Sequence, residues 1–452
     1  MTRLRMTRHL EWMVGLAVIA TASRADAFPA FARKYGMSCS ACHVAWPIFN
    51  QQGQNFRDNG YQFQLGKDDP VTLSQAYIPV SLRTTSFYQF TRTTNQPSDQ
   101  GPIVTTTGGV PLPPGVDILT GGTIARDLSF LVVVSGFGPD GTASMESAWA
   151  RLDNLGGAGW LNLRVGKFEL DQPASAHRNV ALIANYAVYS AHPVGSLVGF
   201  DVAENQAGIE LDGHDARSLT RYSIAVVSAN GDPGGKGAWS SPLVWAHVQR
   251  AFELDSSVLP WVRIGALGAV GWWPTSFNTV TDASGAVTNV PGTGTNMKNY
   301  YRAGAELSWM FGYPSTPALF TAAYMYGREN AGLAQGTDAV SGADLSTVTN
   351  SFHGGFLEVD WVPFSVVEYN ATPWLFFARY DIVRYNHGAG DLDGGTLGAR
   401  RYLALGPRAA MAIHVEVHAD RTKGIGAPDP ANPSTNLDVQ TQSVLAGLDF
   451  DF

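Results

Sequence analysis

Two cysteines and a histidine stand together near the start of the chain, as Cys39-Ser40-Ala41-Cys42-His43. In the C-x-x-C-H pattern two thiols form thioethers with the vinyl groups of a haem, and the following histidine ligates the iron. The vinyl groups lie on one edge of the porphyrin, so closely spaced thiols can hold both. We therefore predict one covalent haem c, bound by Cys39, Cys42 and His43.

Two other uses of the cysteines are a redox dithiol and half of a zinc site. The chain has no thioredoxin-like βαβ pattern around the pair, which argues against a redox dithiol. It has 2 cysteines in all, so no second pair can complete four zinc ligands. Covalent haem is the favoured interpretation.

The start of the chain resembles an export signal. Arginines in the first eight residues precede the apolar run MVGLAVIATA, and Ala25-Asp26-Ala27 forms an A-x-A cleavage site. A membrane anchor is the alternative, but an apolar core of about 10 residues is too short to span a bilayer. We predict a signal peptide over 1–27 and a mature chain that begins at Phe28.

The composition excludes several classes of protein. The formal net charge is -8 and no basic run follows the first residues, which argues against a nucleic-acid partner. No stretch of about 20 apolar residues follows the N-terminus, which argues against a helical membrane protein. With 49 glycines, 25 prolines and 11% aromatic residues, the chain favours turns and strands.

From about residue 79 onward, segments of about 10 to 14 residues alternate between apolar and polar positions and are separated by turn residues. Residues 28–78 lack this pattern and predict loops and short helices, too few to enclose a haem alone. We predict an all-β fold: an antiparallel outer-membrane β-barrel of about 16 strands over 79–452, with a haem-c plug segment over 28–78. The predicted strands are 79–92, 116–125, 128–138, 143–154, 159–169, 203–212, 219–229, 241–252, 259–272, 299–311, 316–329, 350–362, 371–384, 395–404, 409–421 and 438–452.

The connections between these segments support a barrel. Tight connections such as Arg126-Asp127 alternate with long ones near 93–115, 170–202, 273–298 and 330–349, as short periplasmic turns alternate with long outer loops. The last segment alternates strictly and ends on the aromatic Phe452. A secreted β-sandwich is the alternative, but its strands are shorter and its loops lack this rhythm.

The segment FARKYGMSCSACH followed by RDNGY resembles the fused monohaem cytochrome-porins of outer membranes, which include proteins of iron-oxidising bacteria. The resemblance is strong over about 35 N-terminal residues and extends to the barrel only in layout. It implies a short haem segment in or under a porin of about 16 strands, which passes electrons inward from extracellular Fe(II). The matching positions are Phe31, Ala32, Arg33, Gly36, Cys39, Cys42, His43, Gly53, Phe56, Gly60 and Tyr61.

Strand 409–421 carries a polar stripe on the face that we assign to the lumen. His414, Glu416, His418 and Asp420 share this face, and four residues of strand separate the two histidines by about 13 Å. One histidine could meet the haem or the plug, while the outer His418 offers a weak cation site with its acidic neighbours. The alternative is an ordinary polar pore wall. The same alternation gives inward positions to Met145, Glu210, His247, Glu306, Met325, Glu358 and Asp360.

Two functions remain open at this point. The first is a redox conduit that moves single electrons between an extracellular donor or acceptor and a periplasmic cytochrome or other soluble carrier. If Fe(II) is the donor, the protein is an Fe(II)-oxidising enzyme, and otherwise it is an electron carrier. The second is a transport porin whose haem segment is structural or sensory. A conduit should be nearly closed, whereas a transport porin should conduct ions.

Overall fold

The structure is a computed structural model. The predicted signal peptide 1–27, Phe28 and Phe452 lie outside the residues that it describes. Those residues are 29–63, 68–71, 79–98, 101–110, 115–136, 143–232, 239–256, 258–281, 287–291, 296–338, 341–363, 374–405, 410–429 and 432–451.

The N-terminal segment consists of short elements, and residues 29–63 are called the plug below. It contains helix α1, a turn of 3-10 helix, a two-stranded hairpin of β1 and β2, and helix α2. Within the described residues, no helix is both long enough and apolar enough to cross a membrane. The bounds are α1 Pro29–Tyr35, the 3-10 helix Cys39–Ala41, β1 His43–Ala45, β2 Ile48–Phe49 and α2 Gln51–Asp58.

The rest of the chain forms a closed antiparallel barrel, and all sixteen predicted strands are confirmed. Two further hairpins, β13 with β14 and β21 with β22, stand outside the barrel. The strands are β3 Ser81–Gln96, β4 Ile103–Gly109, β5 Gly115–Ala125, β6 Leu128–Gly136, β7 Ala143–Leu152, β8 Asn162–Phe168, β9 Gln206–His214, β10 Thr220–Ser228, β11 Pro242–Glu253, β12 Trp261–Pro274, β13 Phe277–Thr281, β14 Val287–Pro291, β15 Met297–Phe311, β16 Ala318–Glu329, β17 Asn350–Trp361, β18 Trp374–Tyr385, β19 Leu392–Leu405, β20 Ala410–Thr422, β21 Pro428–Asp429, β22 Asn432–Asn436 and β23 Val439–Asp451.

Strand β4 is an addition to the prediction, which placed it in the long connection 93–115. It pairs with the second half of β3, while β5 pairs with the first half. Both run antiparallel to β3, so β4 and β5 share one position around the barrel, which keeps sixteen positions. The residues of β4 are mostly exposed on both faces, so the strand has no apolar and polar alternation from which to predict it.

The alternation of side chains places polar residues inside the barrel and apolar residues outside. In β20, His414 and Glu416 are fully buried, whereas Ile413, Val415 and Val417 are 42%, 45% and 44% exposed on the other face. The outward apolar residues of the other strands continue this surface around the barrel. This is the pattern of strands that face lipid on one side.

One inward assignment is wrong. Met145 is 52% exposed on the outer face, because β7 carries a bulge. Val133 of β6 pairs with Ser147, but the next residue, Val134, pairs with Met145, so Glu146 is the extra residue. An extra residue reverses which face the following side chains occupy.

The inside of the barrel is filled rather than open along its length. The connection between β8 and β9, residues 169–205 (the β8–β9 loop), folds inward and packs against inward-facing residues of the wall. Its tyrosines Tyr186 and Tyr189 and its Phe200 are 2% exposed or less. They belong to one buried apolar cluster with wall residues such as Trp245 and Tyr300.

Candidate haem site

The plug lies at the end of the barrel that carries the short turns. The side-chain amide of Gln51 donates to the carbonyl of Arg217, in the turn between β9 and β10. The hydroxyl of Tyr402, near the β19–β20 turn, donates to the carbonyl of Trp46. The guanidinium of Arg400 stacks over the Trp46 ring, with its Cζ 5.0 Å from the ring centroid. The plug is therefore bound to the barrel wall by contacts with residues of several strands and turns.

Asn50 organises the C-x-x-C-H motif. It caps helix α2 by accepting a hydrogen bond from the backbone N–H of Gly53 at 2.9 Å. Its side-chain Nδ2 donates to the carbonyls of Ser40 and Ala41 at 3.2 and 3.1 Å, and its backbone N–H donates to the carbonyl of Cys42. One residue thus fixes the start of α2 and the turn that carries both thiols.

Two glycines of the motif are explained by close approach. A Cβ on Gly53 would lie 2.0 Å from the carbonyl oxygen of Cys42, so only glycine lets α2 pack against the motif. Gly60 has φ +72°, and a Cβ there would lie within 3 Å of Asp153 and Ser129 in the barrel wall. These contacts give physical reasons for two positions on which the resemblance depends.

The motif opens into a cavity of about 1160 Å³ between protein atoms, part of it open to solvent. Cys39, Cys42 and His43 all line it. Met37 supplies the only thioether and His43 the only imidazole among the described residues that line it. The aromatic residues in its wall are Phe31, Tyr35, Trp46, Phe49, Phe56, Tyr61 and Phe63.

The aromatic wall is continuous with the barrel. The ring of Phe31 stacks on Tyr61 with centroids 4.8 Å apart, and Tyr61 stacks on Trp149 of β7 at 6.0 Å. The imidazole of His43 stacks on Phe49, with ring centroids 4.7 Å apart. Such surfaces suit a flat, apolar macrocycle.

The electrostatics of the motif fit a haem better than a redox dithiol. Burial lowers the pKa of His43 to about 4, although backbone groups of Pro47 and Ile48 oppose the shift, so the ring is neutral and able to bind a metal. Its Nδ1 is buried and makes no hydrogen bond to any described residue. Burial raises the pKa of the Cys42 thiol to about 11, so this thiol is protonated at neutral pH, unlike a reactive redox thiol.

A second cavity, called the vestibule below, lies beside the plug and holds about 1740 Å³ between protein atoms, including space open to solvent. Arg57 of the plug and Arg178 of the β8–β9 loop line both cavities. Arg178 pairs with Glu169 at 3.1 Å, and Arg57 pairs with Asp58 at 3.4 Å. Two guanidinium groups thus stand between the cavity at the C-x-x-C-H motif and the vestibule.

A buried chain of charged residues joins the plug to the wall and was not found from the sequence. Asp58 pairs with Arg221 at 2.9 Å, and Arg221 pairs with Asp171 at 2.9 Å. Asp171 pairs with His247 at 2.8 Å, and the second ring nitrogen lies 3.4 Å from Glu306. Burial alone would raise the pKa of Asp171, but Arg221 and His247 hold it well below its usual range.

The predicted stripe on β20 faces inward as expected, and its residues form two separate pairs. His414 bonds Glu416 at 3.0 Å, and His418 bonds Asp420 at 3.1 Å. The other ring nitrogen of His414 accepts from Arg400 at 3.3 Å, and His414 does not line the cavity at Cys39, Cys42 and His43. Across the described part of the chain, no group of three or more His, Cys, Asp or Glu residues could hold a metal ion.

Glu416 has a structural task that the sequence did not reveal. Its two carboxylate oxygens accept hydrogen bonds from the backbone N–H groups of Leu182 and Ile183, at 2.7 and 3.0 Å. Asp381 accepts from the N–H of Ala187 at 3.1 Å in the same way. These bonds hold the β8–β9 loop inside the barrel.

Solved structures of porins are similar to this chain. An anion-selective porin from Comamonas acidovorans matches with a TM-score of 0.51 and 9% identity, over 82% of this chain and 98% of that one. OmpT of Vibrio cholerae, in trimer form, matches with a TM-score of 0.43 and 11% identity, over 82% and 99%. OmpF of Salmonella typhi, in complex with daunomycin, matches with 0.44 and 11%, over 82% and 97%. No protein-family model and no curated protein matches. The likeness to the Comamonas porin shows a porin-type fold for the barrel.

Proposed function

We propose that the chain is an outer-membrane c-type cytochrome built into a porin-type barrel, and that it carries single electrons across the outer membrane. One observation carries this proposal. A single cavity brings Cys39, Cys42 and His43 together inside aromatic walls, on a plug held in one end of a closed barrel. The proposed location follows from the apolar outer face of the strands and the porin-type fold.

A bound haem would supply a one-electron couple, with extracellular Fe(II) as the proposed donor and a periplasmic cytochrome or another soluble carrier as the acceptor. The residues of this chain have separate tasks around it. Cys39 and Cys42 would hold the macrocycle, and the neutral ring of His43 would ligate the iron. The aromatic wall would exclude water, and Arg57 and Arg178 would supply charged donors for carboxylates of the group.

The filled interior favours a conduit over a transport porin. The β8–β9 loop packs a buried apolar cluster across the barrel, and such a cluster leaves little room for hydrated ions. The alternative, a transport porin with a structural or sensory haem segment, is favoured only by the vestibule, which is a large water-accessible space at one end. The two functions differ in conductance.

The test uses the full chain purified from outer membranes. We expect haem to remain with the protein on a denaturing gel, the haem to be reduced by Fe(II) and reoxidised by a soluble c-type cytochrome, and single-channel conductance to be near zero. Protein without covalent haem would overturn the proposal. A haem protein that Fe(II) cannot reduce but that conducts ions like an open pore would establish the transport alternative.

A further inference from the structure

The inner wall of the vestibule carries a group of polar side chains that the proposed function does not use. Arg263 of β12, Ser308 of β15 and Thr321 of β16 are direct partners in the strand register, so they form a row across three strands at one level. Gln249 of β11 pairs with Gly265, two residues from Arg263 on the same face. All four side chains line the vestibule.

These side chains face the vestibule rather than being sealed in the wall. Gln249, Ser308 and Thr321 are 5%, 4% and 7% exposed, and none of their polar atoms is among the sealed, unpartnered ones of the described residues. No carboxylate in the described part of the chain lies within ion-pair distance of Arg263. Water or a ligand in the vestibule can therefore reach these polar groups.

Arg263 is held in place for binding. Its guanidinium lies over the ring of Trp261, with its Cζ 5.0 Å from the ring centroid, which fixes the plane of the group. The charged residues near it are Arg221, Arg57, Glu306 and Asp58. Arg221 is paired with Asp58 and Asp171, so the carboxylate of Asp58 is already shared. Glu306 pairs with His247 at 3.4 Å rather than with Arg263, so the guanidinium offers its donors to the cavity.

We propose that the vestibule binds a small oxyanion, a carboxylate or a phosphate, on Arg263, with Gln249, Ser308 and Thr321 as additional donors. A guanidinium presents paired N–H donors that match two oxygens of one oxyanion, and hydroxyl and amide groups complete its hydrogen bonds. This site is distinct from the haem cavity, and the proposal does not depend on haem.

The far end of the row limits the charge of the ligand. Glu358 of β17 is the register partner of Thr321, and Asp360 stands two residues further along the same face. Three strand spacings, about 14 Å, separate Arg263 from Glu358. Asp360 is 4% exposed and its Oδ1 has no partner among the described residues. Arg379, the cation nearest this end of the row, already pairs with Glu358 at 3.7 Å, so no free cation of the described residues is offered to a second negative group and the site should prefer one anionic group.

Calorimetric titration of the detergent-solubilised full chain tests this site, with inorganic phosphate, acetate and succinate as separate probes at constant chloride. We expect phosphate or acetate to bind at one site and succinate to bind no more tightly than acetate. Arg263→Gln should weaken binding about tenfold or more, because charge-assisted hydrogen bonds are lost. Arg126→Gln removes an arginine whose side chain is 80% exposed on the β5–β6 turn, and it should leave binding unchanged.

A second variant protects the test against misfolding of Arg263→Gln. Ser308→Ala removes only a hydroxyl from the opposite strand and should weaken binding about two- to tenfold. Heat-modifiable migration on a gel reports whether each barrel is folded. The proposal is overturned if neither phosphate nor acetate binds the wild type, if folded Arg263→Gln binds as tightly as the wild type, or if Ser308→Ala has no effect where Arg263→Gln does not fold.

Discussion

The plug and the β8–β9 loop both occupy the inside of the barrel, but polar contacts have a larger share in holding the plug. The plug bonds the wall from Tyr402 to Trp46 and pairs Asp58 with Arg221, and its Val44, Ala45 and Ile48 share a smaller buried apolar cluster with the wall and the loop. The loop contributes many residues of the buried apolar cluster that includes Trp245 and Tyr300. Glu416 and Asp381 of the wall also accept hydrogen bonds from its backbone N–H groups. The difference suggests that the plug carries the chemistry and the loop closes the barrel.

If this division is correct, changes in the two regions should have separable effects. Changes in the plug should alter haem content and spectrum without opening the barrel. Changes at the anchors of the loop should alter conductance without altering the haem. The predictions below test that separation.

The largest effect is expected from the motif itself. Cys39→Ser or Cys42→Ser should abolish stable covalent attachment of haem, since the proposed attachment uses both thioethers. The barrel should still assemble, because none of its strand pairings includes these residues. Haem stain on a denaturing gel measures attachment, heat-modifiable migration measures assembly, and Ser40→Ala in the same turn is the control. Undiminished haem stain in both serine variants would rule out the covalent assignment.

The next effect concerns closure of the barrel. Glu416→Gln replaces one acceptor oxygen by an NH₂ group and so removes a hydrogen bond to the backbone of Leu182 or Ile183, at a cost of about 1.5–3 kcal/mol. We expect single-channel conductance to rise while the haem spectrum is unchanged. Glu253→Gln is the control, since its side chain is 44% exposed and pairs with Arg217 at the barrel end.

The opposite result for Glu416→Gln would show that the plug and the loop do not have separate tasks. If Glu416→Gln changed the haem spectrum and left conductance at its wild-type value, the loop and the plug would be one functional unit. The division of labour between them would then have to be abandoned.

A smaller effect on haem attachment is expected when a methyl group is added at Gly53, which packs against the C-x-x-C-H motif. In Gly53→Ala the new Cβ would lie 2.0 Å from the carbonyl oxygen of Cys42 and 2.7 Å from the ring of Phe49. Overpacking of this kind costs about 1–3 kcal/mol. We expect reduced haem attachment and easier proteolysis of the plug, with conductance near zero. Gly109→Ala is the control, because a Cβ there meets nothing within 4 Å. Equal haem content in the two variants would show that α2 does not support the motif.

The sequence predicted the parts of the molecule that follow a local pattern. Alternating side chains predicted sixteen strands, while haem binding by Cys39, Cys42 and His43 stays a prediction, although all three line one cavity. Strand β4 was missed because most of its residues are exposed on both faces, and the bulge at Glu146 was missed because an extra residue leaves no local sign. Both errors come from pairing between strands, which the alternation within one strand does not record.

The side chains and the loop that fill the inside of the barrel could not be predicted, for a different reason. The predicted connection 170–202 has no periodic pattern, and nothing in its composition says that it folds inward. The task of Glu416 depends on Leu182 and Ile183, which are more than 200 positions away in the chain. The row of Arg263, Ser308 and Thr321 likewise exists only through the register of three strands. Long-range contacts of this kind require the structure.

The smallest expected effect separates the two histidines of β20. Both ring nitrogens of His414 are engaged, by Arg400 and Glu416, and the ring is fully buried. Both ring nitrogens of His418 are also engaged, by Thr396 at 2.9 Å and Asp420 at 3.1 Å, but its side chain is 9% exposed and lies nearer the end of the barrel that carries the long loops. If Fe(II) enters from that end, His418→Ala should slow its oxidation a few-fold and leave the haem spectrum unchanged.

His414→Ala is the matched variant, and it should act through the loop rather than through the metal. Loss of the ring leaves Glu416 with one partner fewer, so we expect higher conductance and an unchanged spectrum. A changed spectrum would instead make His414 a ligand of the haem iron and would join plug and loop into one unit. If His418→Ala leaves both the oxidation rate and the spectrum unaltered, the stripe is pore wall at that position. The donor must then reach the haem by a route that does not use β20.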